Sequence, residues 1–295
     1  MTILVTGAAG RTSGYVVRAL LQGNPAVQPG DLRLLVRSED AVSKVQSKYP
    51  ELPRSSFVIG DYLERSTLGP ALQGVDVVFH NGPGFHQLEA AMGVALIDAA
   101  KAAGVRHFVY CSVLFPVLSK LLNHDAKARV EEYLIESGLD YTILEPASFM
   151  QNMDVKTAAQ TGVLHCAYNP KTLQGFLDLE DLATVARMVL LNPTSHARAR
   201  YELVGHNASL EDVAATIARV ADALDVRCVQ IPRSDVVAKG TVPAKPDSAY
   251  AVDALDRMLF YYDKRGIPGN SNTLCWLLGR AATSWEGVAR RELSK

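Results

Sequence analysis

A glycine turn follows a short β-branched run only a few residues into the chain. Ile3-Leu4-Val5-Thr6 reads as a buried strand, and Thr6-Gly7-Ala8-Ala9-Gly10-Arg11-Thr12-Ser13-Gly14 leads from it into residues 15–22, where Val16, Ala19 and Leu20 recur at helical spacing. A strand that ends in glycines and feeds directly into a helix opens a βαβ unit that binds a dinucleotide. Gly7 permits the tight turn, and Gly10 lets the backbone approach a pyrophosphate. The helix N-terminus supplies free N–H groups and the positive end of a dipole. The third small position, which packs helix on strand, falls on Ser13 with Gly14 beside it. The turn and its context are what make this motif specific, since a bare glycine spacing is weak.

The pattern repeats along the first half. Apolar runs at 32–36, 57–59, 75–79, 107–111 and 141–144 read as strands, and helical patterns at 66–73, 88–103 and 125–136 close on Gly74, Gly104 and Gly138. This alternation predicts an α/β fold, a Rossmann-type doubly wound parallel sheet that presents its ligand site at the carboxyl ends of the strands. Residues 1–150 are read as the NAD(P)-binding Rossmann domain. Residues 151–295 are read as a smaller C-terminal α/β substrate portion packed on it, with some of its segments free to return to the sheet. In that second portion, 201–204 and 226–231 read as strands. A Ser209-capped helix runs to about Leu224, 233–249 with Pro243 and Pro246 reads as a loop, and 251–264 reads as a helix. Thr283-Ser284-Trp285-Glu286 reads as a capping box that opens the last helix.

Composition narrows the function classes. Lys plus Arg total 30 against 31 for Asp plus Glu, a formal charge of -1, whereas nucleic-acid and membrane-surface proteins usually carry a basic excess. Neither partner is expected. The four cysteines, Cys111, Cys166, Cys228 and Cys275, stand far apart without a CxxC or Cys/His cluster, so neither a metal site nor a disulfide scaffold is expected. The N-terminus lacks a basic region and a long apolar core, and no apolar run approaches a membrane span, which gives a cytoplasmic reading.

The strand ends select the dinucleotide. Val36-Arg37-Ser38 follows the second strand, where an NAD enzyme usually places an acid for the ribose 2′-hydroxyl. A guanidinium there can hold a 2′-phosphate with two hydrogen bonds, with Arg11 as a second contact, so NADP(H) is the expected cofactor. Arg37 as a solvated surface residue is the alternative. Asp61, with Tyr62 beside it, follows the third strand and can accept from the adenine amino group or cap the next helix. Asn81-Gly82-Pro83-Gly84 follows the fourth strand and allows close backbone approach between the two halves of the cofactor, or is a plain turn.

These segments resemble the NmrA-like family of atypical short-chain dehydrogenases. The resemblance rests on Thr6-Gly-Ala-Ala-Gly, Val36-Arg37-Ser38 and Gly60-Asp61. It extends through Ala99-Ala-Lys-Ala-Ala-Gly-Val-Arg-His-Phe-Val-Tyr-Cys-Ser112 and Tyr141-Thr-Ile-Leu-Glu-Pro-Ala-Ser-Phe-Met-Gln-Asn152, then through Phe176-Leu-Asp-Leu-Glu-Asp-Leu-Ala183, Tyr201-Glu-Leu-Val-Gly205 and Leu274-Cys-Trp-Leu-Leu-Gly-Arg280. It spans nearly the whole chain. It implies one of two activities: an NADPH-dependent reductase of small electrophiles, or a protein that binds the dinucleotide without turnover and reports redox state to a protein partner.

By resemblance Lys127 occupies the lysine position of the short-chain dehydrogenases. Asn123 stands four residues earlier, where the orthodox proton-donating tyrosine would be, so that relay is absent. The resemblance makes Lys127 a ribose contact and a candidate catalytic group; locally, it can instead pair with Glu131 at i+4. Ser112 ends the fifth strand, where the superfamily often polarises a substrate oxygen, and is the second catalytic candidate. His124 is an alternative acid. Pro146 and Phe149 are implied to lie along the nicotinamide, with Glu145 where the family often has arginine. Thr6, Gly7, Ala9, Gly10, Arg11 and Thr12 form the phosphate turn, and Phe85, His86, Phe115, Met150 and Tyr250 are candidate cavity residues. Tyr261, Tyr262 and Trp276 read as core. The reading is an NADPH-dependent reductase of a small aromatic or conjugated carbonyl or imine, with a non-catalytic NADP(H) sensor acting through a partner as the alternative.

Overall fold

The computed structural model describes residues 1–222, 225–239 and 248–294. Its main sheet is built from β1 (Ile3–Thr6), β2 (Leu32–Val36), β3 (Phe57–Ile59), β4 (Val77–His80), β5 (His107–Cys111) and β6 (Tyr141–Pro146). Helices α1 (Arg11–Gln22), α2 (Glu39–Lys48), α3 (Arg65–Leu72), α4 (Glu89–Ala102) and α5 (Leu122–Glu136) connect them. The second half contributes β7 (Ser148–Phe149), α6 (Val155–Thr161), β8 (Val163–Cys166), β9 (Gln174–Leu177), α7 (Leu179–Leu191), β10 (Ala199–Leu203), β11 (His206–Ala208), α8 (Leu210–Ala221) and β12 (Arg227–Gln230). It ends with α9 (Arg233–Lys239), α10 (Ala249–Lys264), α11 (Asn272–Leu278) and α12 (Trp285–Leu293).

The seven-stranded sheet has the order β3-β2-β1-β4-β5-β6-β10, and every pairing in it is parallel. The order reverses between β1 and β4, which opens a crevice at their carboxyl ends. Both faces are covered, so the strands are apolar throughout and their alternating residues serve two cores. Ile3 and Val5 pack with Val16 and Val17 of α1 and Val185 and Val189 of α7. Leu4 points the other way, to Leu68 of α3, Leu96 of α4 and Val130 of α5. A third core lies in the second half, where Phe176 meets Trp285 edge-on at 5.1 Å and Leu210, Ile217 and Val288 close around them. Two small sheets, β11-β9-β7 and β12-β8, flank it.

Two segments of the second half serve the first. β10 completes the main sheet beside β6, and α7 covers α1. Buried Asp178 caps α7 by accepting from Glu180 N and is clamped by Arg291 of α12 at 2.7 and 2.9 Å. The helix beginning at Ser209 carries the expected cap, with Asp212 closing the box. It ends at Ala221, and Leu224 lies outside the described residues. The box expected at Thr283 is corrected: Ser284 is the cap and accepts from Gly287 N, while Glu286 holds Arg219 and Arg290. The loop expected over 233–249 is corrected in part, since α9 forms at Arg233–Lys239; Pro243 and Pro246 fall outside the described residues. Strands of two to four residues such as β7, β8 and β11 are too short to show a period in the sequence.

Candidate functional site

The phosphate turn is held by its glycines. Gly7 sits at φ +63°, and a Cβ there would approach Asn81 O to 2.9 Å. Gly10 N closes the turn onto Gly7 O at 2.8 Å, and Gly10 caps α1 without a side-chain bond. The first turn of α1 carries no acid, so its N–H groups face the crevice uncompensated. Ser13 is buried and donates to Thr6 O at 2.8 Å, which ties helix to strand at the third small position.

The crevice is one trough made of two cavities. The first, about 550 Å³, runs over the ends of β1, β2 and β3, with walls that include Gly7, Ala9, Gly10, Arg37, Ser38, Asp61, Tyr62, Asn81 and Gly82. The second, about 410 Å³, is lined by Arg11, Thr12, Ser112, Asn123, Lys127, Pro146, Phe149, Met258 and Tyr262 among others, and again by Asn81 and Gly82. The two shared residues join the cavities. A third chamber of about 320 Å³ continues past Ser148, Asn152, Met258 and Tyr262 to Tyr168, whose buried hydroxyl has no hydrogen-bond partner among the described residues.

In the first cavity, Arg37 is exposed, and among the described residues no carboxylate or acceptor engages it. The nearby Glu39 is taken by Arg54 at 2.6 Å. Ser38 caps α2 by accepting from Ala41 N. Asp61 is corrected as a helix cap: its Oδ1 accepts from Leu63 N at 2.9 Å in a local turn, and α3 starts later, after Glu64. Burial pushes the Tyr62 phenol up to about 12, which keeps it a neutral donor.

Two members of the phosphate turn do not lie where the sequence suggested. Thr6 is fully buried beneath the turn, its hydroxyl accepting from Asn81 N at 3.0 Å and meeting His80 Nδ1 at 3.0 Å, so it shapes the cradle from below. Arg11 does not reach the Arg37 cavity as a second 2′-phosphate contact. Its guanidinium crosses to Gln151 O at 2.8 Å and to Asn152 Oδ1, tying the turn to the second half.

In the second cavity, Lys127 projects from α5 with only 13% of its side chain exposed and meets Glu89 of α4 at 2.8 Å. Glu131 is therefore not its partner. Burial alone would pull the ammonium down, but Glu89 and the Tyr110 phenol override it and hold it above its ordinary value. Burial pushes the Glu89 carboxyl up, against the pull of Lys127. The ammonium also lies 5.5 Å over the Tyr110 ring. The Ser112 hydroxyl is hydrogen-bonded to Glu131, and Glu131 and Glu145 both meet Arg200 of β10. The position where an arginine was the family's habit thus holds a carboxylate that faces Arg200. Asn123 also lines this cavity, with its buried Oδ1 unbonded among the described residues.

The alternative acid and several expected cavity residues lie elsewhere. His124 is buried with Nδ1 on Phe115 O at 3.0 Å, and burial pulls its imidazole down to about 4, which removes it as an acid near neutrality. Met150 is in the third core, Phe115 packs on the first, and Tyr250 sits in α10 with its hydroxyl on Leu122 O. Phe85 and His86 do line the trough. Tyr262, read as core, lines it as well, and Trp276 is 76% exposed. Met258 and Tyr262 were missed because they come from α10, more than a hundred residues from the nearest strand end of the sheet's first half. Their one sequence signal was an apolar helix face, which looks the same for core and cavity.

The fold and the trough define a Rossmann-type α/β protein. The model of the NmrA-like family matches residues 1–275, so the chain belongs to the NmrA-like family. It is 27% identical to quinone oxidoreductase 2 of Escherichia coli over 96% of this chain and 95% of that protein. The crystal structure of that NADPH-dependent enzyme complexed with NADPH superposes with a TM-score of 0.80, covering 99% of this chain and 100% of that one at 24% identity. The chain is also 29% identical to an NAD(P)H azoreductase of Xenophilus azovorans, over 98% of this chain and 96% of that protein. NmrA itself, a negative transcriptional regulator in complex with NAD, superposes with a TM-score of 0.73 at 20% identity, covering 98% and 94%. Among the described residues no helix is long and apolar enough to cross a membrane.

Proposed function

We propose that this protein is an NADP(H)-dependent reductase of a small, flat, uncharged electrophile such as a quinone or another conjugated carbonyl. One observation carries the reading: a single trough joins an arginine at the end of β2, unengaged among the described residues, to a cavity whose lysine is already paired with its own glutamate. The reductases among its relatives support it.

The residues present fit the dinucleotide. A Cβ at Gly7 would close the cradle, and the bare N-terminus of α1 suits a pyrophosphate held by Gly7, Ala9, Gly10 and Thr12. Arg37 with Ser38 would take the 2′-phosphate, and Asp61 and Tyr62 the adenine side. Asn81 and Gly82 would sit at the centre, and Lys127, Pro146 and Phe149 at the nicotinamide end. The bound cofactor supplies a hydride; the chain orients it and excludes water. An acceptor that brought a full negative charge would have to compete with Glu89 for Lys127, so a neutral one is favoured.

The test is NADPH oxidation by the purified protein against quinones, enones and imines. We expect turnover with at least one class, and its loss in a Lys127→Met, Glu89→Gln double variant that still binds NADPH. Tight NADPH binding without turnover in any class, together with a protein partner retained in only one redox state, would replace this reading with the sensor.

A further inference from the structure

Ser112 is the one hydroxyl at the end of β5 that faces the acceptor cavity, and a buried charge cluster stands behind it. Its Oγ bonds Glu131 Oε1. Glu131 Oε2 accepts from Arg200 Nη2 at 2.8 Å, and Glu145 Oε1 accepts from Arg200 Nε at 3.0 Å and Nη2 at 2.7 Å. Both carboxyls are buried, at 3% and 4% exposure, and they share one guanidinium. We propose that Glu131 sets the direction of the Ser112 hydroxyl and thereby makes Ser112 the proton donor to the acceptor, with Glu131 as the positioning residue and proton source behind it. This rests on the reductase reading.

The physical reason is a charge imbalance. Glu131 faces Ser112 and Tyr110 from the β5 side, Glu145 on β6, Arg200 on β10 and Lys127 one turn back on α5. Lys127 is engaged by Glu89, so among the described residues the buried Glu131 and Glu145 carboxyls share the single Arg200 guanidinium, and Glu202 adds like charge beside Glu145. Such a pair holds one proton near neutrality. Glu145 receives two of the three Arg200 contacts, so the proton belongs on Glu131. Burial, with Glu145 adding to it, pushes the Glu131 carboxyl up to about 7, although the Ser112 bond pulls the other way.

Protonated, Glu131 donates to Ser112 Oγ, and the Ser112 proton turns into the cavity. Ionised, Glu131 takes that proton for its own hydrogen bond, and Ser112 offers the cavity only a lone pair. In the reaction the acceptor gains the hydride from NADPH, and its oxygen takes the Ser112 proton. Ser112 takes the Glu131 proton, leaving Glu131 ionised against Arg200. Glu131 regains a proton from water beside Arg200, which is 45% exposed. The sum is acceptor plus NADPH plus one proton giving reduced acceptor plus NADP+.

Two measurements test this. Infrared titration of the cofactor-free protein is expected to show a protonated carboxyl band that disappears near pH 7. It should be missing in Glu131→Gln and titrate at lower pH in Glu145→Gln, where the like charge is gone. The absence of such a band overturns the proposal without any appeal to activity. Single-turnover hydride transfer from NADPH to an unsubstituted naphthoquinone is expected to fall about tenfold per pH unit above that point. Ser112→Ala and Glu131→Gln should both be slow and lack the falling limb, and Glu145→Gln should shift it to lower pH, with NADPH affinity unchanged in all three. A limb that persists in Glu131→Gln overturns the proposal while the reductase reading stands. No turnover in the unaltered protein overturns the reductase reading and the donor role with it.

Discussion

Arg37 and Lys127 stand at opposite ends of one trough, and their surroundings differ. Arg37 is exposed and unengaged among the described residues, beside a Ser38-capped helix, and the neighbouring Glu39 is drawn off by Arg54. Lys127 is buried against Glu89 and Tyr110. The first end is short of negative charge and ready for a ligand that brings it. The second is balanced within the protein and ready for a ligand that brings none. A charge left in water costs little to keep, whereas a buried one must be paired before the ligand arrives. In the proposed reductase the same contrast would set a binding end against a reacting end.

Breaking the pair at the buried end should have the largest effect. Lys127→Met strands Glu89 and should cost about 3–5 kcal/mol of stability by denaturant unfolding. Adding Glu89→Gln should restore most of it. Equal stability of the single and double variants would show that the pair carries no buried charge. Next comes the exposed end. Arg37→Ala should weaken NADPH binding about 10- to 150-fold, the loss of a charged contact of about 1.5–3 kcal/mol, and leave protein stability and NADH affinity alone. Equal losses for both dinucleotides would move the 2′-phosphate elsewhere. The smallest effect is expected from Ser38→Ala. Removing the α2 cap should cost about 0.5–2 kcal/mol of stability, with a smaller loss of NADPH affinity than Arg37→Ala, checked by thermal melting and titration.

The exposed end of the trough was legible in the sequence, and the buried end was legible only in part. The glycine turn, Ser13 and the groups after β2 and β3 depend on neighbours a few residues away, so spacing places them. Lys127, Ser112 and Phe149 were found through a family likeness, which gives positions but no partners. Their partners come from afar: Glu89 from α4, Arg200 from β10, Met258 and Tyr262 from α10. Local spacing offered only the i+4 neighbour Glu131 as an alternative partner for Lys127. The α4–α5 packing brings Glu89 to it, and Glu131 goes to Ser112 and Arg200.

The sequence alone determined the strand–turn–helix opening, the parallel sheet and the cationic residue after the second strand, because backbone geometry and short spacing dictate them. Only the tertiary structure decided that β10 closes the sheet beside β6 and so carries Arg200 to Glu131 and Glu145. Ion pairs between residues scores of positions apart have no spacing rule. They exist because packed layers force buried charges to find one another.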